Sequence, residues 1–125
     1  MRHIESRLQH QCVEWFRLAY RPLARNLIAV PNGGHRNIRE AVIMKGEGVM
    51  AGASDLVLFA PGENAHALCI EMKTPKGTQT ELQKLWQHAV ETEGYRYEIV
   101  RSFDGFRNLI KDYLKSREQM YDTLF

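Results

Sequence analysis

Three charged residues stand at the ends of two apolar segments near the middle of the chain. Asp55 precedes the apolar run 56–60, and Glu71 and Lys73 lie at the end of the run 67–73. An unpaired buried charge costs several kcal/mol, so these residues need partners. One solution is Mg²⁺ or Mn²⁺, which binds carboxylate and backbone carbonyl oxygens, with the lysine stabilising charge on a phosphate. The other is a salt bridge between Lys73 and one carboxylate, which the Glu-x-Lys triplet alone favours.

The register of the two segments decides whether these charges meet. Side chains alternate between the faces of a strand, so Glu71 and Lys73 point to the same side. An antiparallel pairing through the connection 60–66 sets Asp55 opposite Glu71, whereas a slip of one residue sends Asp55 to the other face. The apolar pattern is compatible with both registers. A shared face for Asp55 and Glu71 is therefore a prediction.

Two further polar residues have one functional and one structural interpretation each. Glu5 falls inside the edge of the apolar stripe of the first helix, where it is a candidate third metal-site carboxylate or an acid favoured by the helix dipole. Gln83 lies one turn into a later helix, and a capping box with Thr80 would explain it fully. Trp86 is interpreted as a core residue. The five histidines have no paired ligand spacing, so zinc is not expected.

The elements that must position these residues follow from hydrophobic spacing and from Gly and Pro signals. They alternate between helix and strand, which predicts an α/β fold with one mixed central sheet and helices on both faces. In chain order we predict helix 3–20, strand 26–30, a short helix in 36–48, strands 55–60 and 67–73, helix 80–94, strand 95–102 and a helix from 103. The helical positions predicted to form apolar stripes are Ile4, Leu8, Cys12, Trp15, Phe16 and Ala19; Leu82, Leu85, Trp86, Ala89 and Val90; and Phe106, Leu109, Ile110, Tyr113 and Leu114.

Length and composition predict a single globular domain. The chain has 125 residues with 44% hydrophobic and 26% charged residues, which is ordinary for such a domain. We place its core at about 3–115, with a tail, 116–125, that either closes a dimer or packs back on the domain. No apolar run approaches the roughly 18 residues of a membrane span, and no signal peptide is evident, which predicts a cytoplasmic protein. Cys12 and Cys69 are expected to be reduced core residues.

The basic charge is concentrated in the first part of the chain. Residues 1–50 carry eight Lys or Arg and four acids, about +4, whereas residues 51–125 carry nine and eleven, about −2. Such a distribution is typical of a nucleic-acid surface, although the charge alone favours a solvated helix face. The basic residues concerned are Arg2, Arg7, Arg17, Arg21, Arg25, Arg36, Arg39 and Lys45.

The motifs taken together resemble one known family. The segments ESRLQ, VPNGGHRN, MKGEGVMAGASDLVLF, LCIEMK and TELQKLW are similar, in order and spacing, to the virus-type replication-repair nuclease (VRR-NUC) domain, a branch of the PD-(D/E)XK phosphodiesterases. The resemblance covers about residues 5–101. One departure is Ser54, which stands where the family usually has a proline before the aspartate. That proline constrains the backbone and is not catalytic, so activity is still expected.

The resemblance implies a Mg²⁺- or Mn²⁺-dependent deoxyribonuclease with a restriction-endonuclease-like fold. By position, the metal-binding acids match Asp55 and Glu71, with the backbone carbonyl of Met72 as a further ligand. The catalytic lysine matches Lys73, the first-helix glutamate, also a metal ligand, matches Glu5, and the helix glutamine matches Gln83. DNA contacts are expected from the glycine-containing loops and the basic residues beside them, namely Asn32, Gly33, Arg36, Arg39 and Lys45.

The resemblance also bears on partners and setting. Small stand-alone members look like phage proteins, and as homodimers they resemble Holliday-junction resolvases, which implies cleavage of branched DNA in a bacterial host cell. The alternative is a catalytically silent DNA- or protein-binding module of the same fold. A sequence-specific restriction enzyme would need a larger recognition region than this chain has room for.

Overall fold

The computed structural model describes residues 2–31 and 37–117, with side chains from residue 4 onward. Its centre is a mixed sheet of four strands in the order β1-β2-β3-β4. Strands β1, β2 and β3 pair antiparallel, and β3 pairs parallel with β4. The predicted α/β class with a mixed central sheet is confirmed. The strands are β1 Leu27–Ala29, β2 Leu56–Leu58, β3 Leu68–Met72 and β4 Arg96–Val100.

The described residues form four α-helices, in the predicted chain order. Local sequence defines their starts: side-chain oxygens of Asn37, Thr80 and Ser102 accept backbone N–H groups at the beginning of the second, third and fourth helix. Short 3₁₀ segments follow the first and last helices, at Arg21–Asn26 and Lys115–Arg117. The helices are α1 Arg2–Ala19, α2 Ile38–Gly46, α3 Glu81–Thr92 and α4 Phe103–Leu114. No helix among the described residues is long and apolar enough to cross a membrane.

The two faces of the sheet are covered by different helices, as predicted. On one face, even-numbered strand residues such as Leu56 and Ile70 pack with Cys12 and Phe16 of α1 and with the apolar side of α4. On the other face, odd-numbered residues including Cys69 form a smaller cluster with Trp86 of α3. Both faces of β2 and β3 are therefore buried, and Asp55, Glu71 and Lys73 lie at the ends of these two strands.

Several positions predicted to be buried are exposed. Ile4 is 57% exposed and Ala19 is exposed, because α1 packs on the core through Cys12 and Phe16. In α3, Leu82 and Leu85 are 53% and 66% exposed, since this helix rests on the sheet through Trp86 and Val90. Ala89 is exposed as well.

The first strand is also less buried than its sequence suggested. It is an edge strand that pairs only with β2, and of its residues only Leu27 is buried. Ile28 faces the side of Val57 but remains 43% exposed, because α3 packs against β4 rather than against this edge. The strand bounds are otherwise within a few residues of those predicted, and both cysteines are buried and free.

The loop before β2 is pressed against the start of α3. Gly52 has φ of +89°, and a Cβ atom at this position would collide with the backbone carbonyl of Leu82. Only glycine fits a positive φ and so close an approach without strain. The contact places the segment leading to Asp55 beside the first turn of α3, where Gln83 lies.

Candidate active site

The register between β2 and β3 brings the two acids together. Leu56 lies opposite Ile70 and Leu58 opposite Leu68, so Asp55, one residue before the paired segment, is level with Glu71. The Asp55 Oδ2 atom accepts a hydrogen bond of 2.7 Å from the backbone N–H of Met72. The predicted antiparallel register is therefore correct, and the Asp55 side chain is anchored on β3 itself.

The backbone around Asp55 is held on both sides. Its carbonyl accepts the N–H of Val30 at 2.9 Å, which ties it to the end of β1. Ser54 is fully buried, and its hydroxyl donates to the carbonyl of Leu56 at 2.9 Å. This local bond across Asp55 restrains the chain at the position where the resemblance implied proline. Ser54 therefore restrains the backbone beside Asp55 through its own hydrogen bond.

Glu71 is a buried carboxylate with several polar neighbours. Only 3% of the residue is exposed. Its Oε2 accepts a hydrogen bond of 3.1 Å from the Gln83 amide, and its Oε1 lies 3.5 Å from the Tyr97 hydroxyl. Burial raises the pKa of Glu71 well above its ordinary value, and the hydrogen bond and charge of Asp55 raise it further, against the opposing charge of Lys73. Two neighbouring carboxylates repel each other when both are charged, and more so where burial excludes water. Such a pair favours sharing a proton or binding a cation.

Gln83 forms the capping box considered from sequence and also contacts Glu71. The Thr80 hydroxyl accepts the N–H of Gln83 at 3.2 Å, and the Gln83 Oε1 accepts the N–H of Thr80 at 2.9 Å, which completes the capping box. Because the amide oxygen is used by the cap, the amide NH₂ is directed outward from it and reaches Glu71. The same contact that begins α3 also orients a carboxylate on β3.

Lys73 lies at the same end of the sheet as the two acids. It is 9% exposed, and its backbone N–H donates to the carbonyl of Val100 at 2.9 Å, directly after the β3–β4 pairing. Among the ion pairs within the described chain, none joins the Lys73 ammonium to Asp55 or Glu71. The plain salt bridge considered from sequence is therefore not what holds these residues.

These residues line one cavity of about 1090 Å³ between the strand ends and α1. Met72 and Gln83 contribute to its wall, and Glu5 faces it from α1. Within the part of the chain that the structure describes, no three His, Cys, Asp or Glu side chains stand together as a metal-binding group. The acids that meet are thus the pair Asp55 and Glu71, while Glu5 lies across the same cavity.

The chain matches the model of the VRR-NUC domain over residues 1–104. The chain belongs to the VRR-NUC family. A solved structure described as a VRR_NUC domain protein has the same fold, with a TM-score of 0.76 and 27% sequence identity over 89% of this chain and 88% of that one. No curated protein matches the sequence. Because VRR-NUC domains are in general nucleases, the chain is assigned to the nuclease class of hydrolases.

The DNA-binding residues expected of this VRR-NUC domain are only partly described. Asn32, Gly33 and Arg36 lie outside the described residues, as does most of the tail 116–125. Arg39 and Lys45 are exposed on α2 and do not line the cavity. Their role in binding DNA stays a prediction.

One basic residue from the first part of the chain has a structural task. Arg17 lines the cavity, but its guanidinium donates to the backbone carbonyls of Ala24 and Leu27 at 3.1 and 2.8 Å. These bonds connect α1 to the segment that leads into β1. Arg17 is therefore partly committed to holding the fold.

Sequence reasoning missed Tyr97 and Gln79, which lie behind Glu71. Tyr97 is 4% exposed and faces the same side of the sheet as Cys69, its partner in the parallel pairing. Burial raises the pKa of Tyr97 to about 12, so its hydroxyl keeps its proton near neutral pH. Alternation along β4 could have indicated the face of Tyr97. Its distance from Glu71 depends on the β3–β4 register, which the sequence leaves open.

Proposed function

We propose that this protein is a Mg²⁺- or Mn²⁺-dependent endonuclease that hydrolyses phosphodiester bonds in DNA, with branched DNA such as four-way junctions as substrate. The observation that carries the proposal is the meeting of Asp55 and Glu71 on one face of the sheet, with Lys73 at the same strand end. This pair, a buried Glu71 and a half-buried Asp55 beside a lysine, lies at the wall of an open cavity rather than inside the core. It suits a site that binds a cation and a phosphate.

The donor set fits a hard divalent cation. Asp55, Glu71 and the carbonyl of Met72 offer oxygen atoms only, and such ions prefer oxygen and retain several waters. The cavity of about 1090 Å³ leaves room for those waters and for a phosphate group. A cation would also offset the repulsion that raises the pKa of Glu71. Asp55 keeps its Oδ1 available, because Oδ2 is the atom that accepts the Met72 N–H.

The residues around this position divide the chemical work. A bound Mg²⁺ or Mn²⁺ supplies Lewis acidity at the phosphate and lowers the pKa of bound water. Asp55 and Glu71 would hold the cation, and Gln83 orients Glu71 by its 3.1 Å hydrogen bond. Lys73, close enough to lower the pKa of Glu71, carries the positive charge that stabilises negative charge developing on the phosphate oxygens.

The proposed substrate follows from charge and from symmetry. The excess of basic residues in 1–50 favours contacts with phosphates, which read shape rather than base sequence. A homodimer would place two sites on two strands of a junction, and the apolar residues of the tail 116–125 are a candidate contact. A phage protein acting in the cytoplasm of a bacterial host is the setting that we propose for this activity.

Cleavage of a labelled four-way junction tests the proposal directly. We expect cleavage with Mg²⁺ or Mn²⁺, none with a chelator, and weaker cleavage of a linear duplex of the same sequence. Asp55→Asn should reduce the rate by more than about a hundredfold, since even groups behind metal ligands are worth about 10- to 100-fold. Asp104→Asn, at an exposed aspartate of α4, is the matched control.

Each possible failure of this assay has a distinct meaning. Cutting without a divalent ion, or full activity in Asp55→Asn, would refute the mechanism. Junction binding without any cleavage or Mn²⁺ uptake would identify a catalytically silent binding module instead. Equal cleavage of the linear duplex and the junction would retain the nuclease but remove the proposed substrate.

Glu5→Gln tests whether the acid of α1 belongs to the metal site. Because Glu5 faces the cavity across from the acid pair, we expect its negative charge to favour the cation from that side. Loss of its charge should then weaken the apparent Mn²⁺ affinity in the cleavage assay by about tenfold, the lower range for an outer metal-site residue. Glu93→Gln, at an exposed position that does not line the cavity, is the control. Wild-type cleavage by Glu5→Gln at limiting Mn²⁺ would exclude Glu5 from the site.

A further inference from the structure

We infer that Tyr97 is a positioning residue for Glu71, and that Gln79 sets the direction of its hydroxyl; this inference rests on the proposed metal-dependent function. The Tyr97 ring is buried at 4% exposure beneath the site, on the face of the sheet opposite α1 and α4. Its hydroxyl lies 3.5 Å from the Glu71 Oε1 atom. Tyr97 itself does not line the cavity, so it acts through Glu71.

The hydrogen-bond directions around the hydroxyl support this role. The Gln79 Nε2 atom donates to the Tyr97 oxygen at 3.3 Å and to the Gln87 Oε1 atom at 2.7 Å. An amide NH₂ group has two hydrogens, so it serves both acceptors. Because the Tyr97 oxygen accepts from Gln79, its single hydrogen is left for Glu71. The bond to Gln87 thus holds the Gln79 amide in place, and this amide in turn sets the direction of the Tyr97 hydroxyl.

Glu71 is consequently held through both of its oxygens. Oε1 faces the Tyr97 hydroxyl and Oε2 accepts from Gln83, two donors that come from β4 and α3. A carboxylate held at both oxygens keeps one orientation, and its remaining lone pairs are presented to Asp55 and the cavity. Donors behind a metal ligand orient it in this way in many metal sites. Without the hydroxyl, the carboxylate would lose one of its two restraints.

The ring of Tyr97 has a separate packing task, which makes a clean substitution possible. It lies 6.2 Å from the ring of Trp86, measured between centroids, and belongs to the smaller core cluster. Phenylalanine keeps that contact and removes only the hydroxyl. Gln79→Leu removes the donor behind the hydroxyl. Tyr95 directly precedes β4 and is 42% exposed. Tyr95→Phe is therefore the control, because it also removes a single tyrosine hydroxyl.

Calorimetric titration with Mn²⁺, run on the full chain in the absence of DNA, tests the inference independently of activity. We expect Tyr97→Phe to raise the Kd for Mn²⁺ by about 10-fold. Gln79→Leu should give a smaller increase, and the double variant should be no weaker than Tyr97→Phe alone, because Gln79 acts through Tyr97. Tyr95→Phe should bind as the wild type does.

Cleavage kinetics then separate positioning from a general loss of structure. The Mn²⁺ concentration needed for half-maximal cleavage should rise with the Kd, while the rate at saturating Mn²⁺ and the KM for the junction change less than about threefold. A damaged fold would instead lower the rate at saturating Mn²⁺ and raise the KM as well. Wild-type Mn²⁺ affinity in Tyr97→Phe, with the wild type binding normally, would overturn the role of Tyr97 alone. Absence of Mn²⁺ binding by the wild type would overturn the metal-dependent function, and the inference with it.

Discussion

Replacement of Glu71 by glutamine should abolish cleavage and, in the absence of metal, make the protein more stable. The folded protein raises the pKa of Glu71 above its value in the unfolded chain. Below the ordinary carboxyl pKa of about 4.3 both states hold the proton, and Glu71 costs nothing. Above it the unfolded chain releases the proton while the folded protein retains it, so stability is lost as pH rises toward the raised pKa.

Glutamine removes this cost because it is neutral at every pH. Its amide can also accept from Gln83 and donate to Asp55. If the substitution removes the cost of only one unit of the raised pKa, the free energy of unfolding increases by about 1.4 kcal/mol. At about 3–6 °C per kcal/mol for a domain of this size, the melting temperature of Glu71→Gln should exceed that of the wild type by about 4 °C or more near pH 8. The difference should vanish near pH 4.

Thermal melts from pH 4 to pH 9 in chelator measure this difference, and Mn²⁺ should reverse the ranking. Added Mn²⁺ stabilises only a folded state that binds it, so it should raise the melting temperature of the wild type and leave Glu71→Gln unchanged. Glu93→Gln, at an exposed position after α3, is the matched control. If Glu71→Gln melts at a lower temperature than the metal-free wild type at pH 8, the stability cost that we assign to the Glu71 carboxylate is contradicted. Retained cleavage would remove Glu71 from the site.

Replacement of Lys73 by methionine should separate chemistry from metal binding. Methionine keeps most of the aliphatic stem that is buried at the strand end and removes the ammonium. The cleavage rate at saturating Mn²⁺ should fall by about a hundred- to a thousandfold, as for other single groups that stabilise transition-state charge. Mn²⁺ affinity should change far less. Removal of the positive charge favours the cation, but it also raises the pKa of Glu71, and these effects oppose each other.

Single-turnover cleavage and calorimetry on Lys73→Met measure the two quantities separately. Lys76→Met, three residues later and exposed, controls for the loss of one positive charge from this part of the chain. A slow variant with normal Mn²⁺ affinity supports the proposed role. Loss of Mn²⁺ binding would show that Lys73 only supports the ligands, and wild-type cleavage would refute its part in the reaction.

The architecture of the site could be predicted from sequence where alternation was unambiguous. Apolar residues on both faces of β2 and β3, ended by Asp55 and by Glu71 with Lys73, indicated a buried pair of strands with charges at one end. The antiparallel register then followed from requiring the two acids to meet. Helical spacing was less informative, because it identifies an apolar stripe but not whether another element covers it. Leu82 and Leu85 are exposed for that reason.

The support of the site could not be predicted, because it depends on contacts between elements that are distant in sequence. Gln83 was recognised as part of a capping box, but its bond to Glu71 requires α3 to lie against the end of β3. The position of Tyr97 beside Glu71 depends on the parallel register of β3 and β4. The helix that connects these strands does not determine that register. The exposed edge of β1 depends likewise on where α3 packs. Each of these is a tertiary property rather than a local one.

The division of labour around Glu71 limits how the site can be transplanted. Asp55, Glu71 and Lys73 all lie in the continuous segment 55–73, whereas the two donors to Glu71 belong to α3 and β4. A chimera that exchanges this hairpin between VRR-NUC domains would carry over the ligands and inherit their orientation from the host. The metal preference of such a chimera should therefore follow the recipient scaffold at the positions of Gln83 and Tyr97, even when the inserted ligands are unchanged.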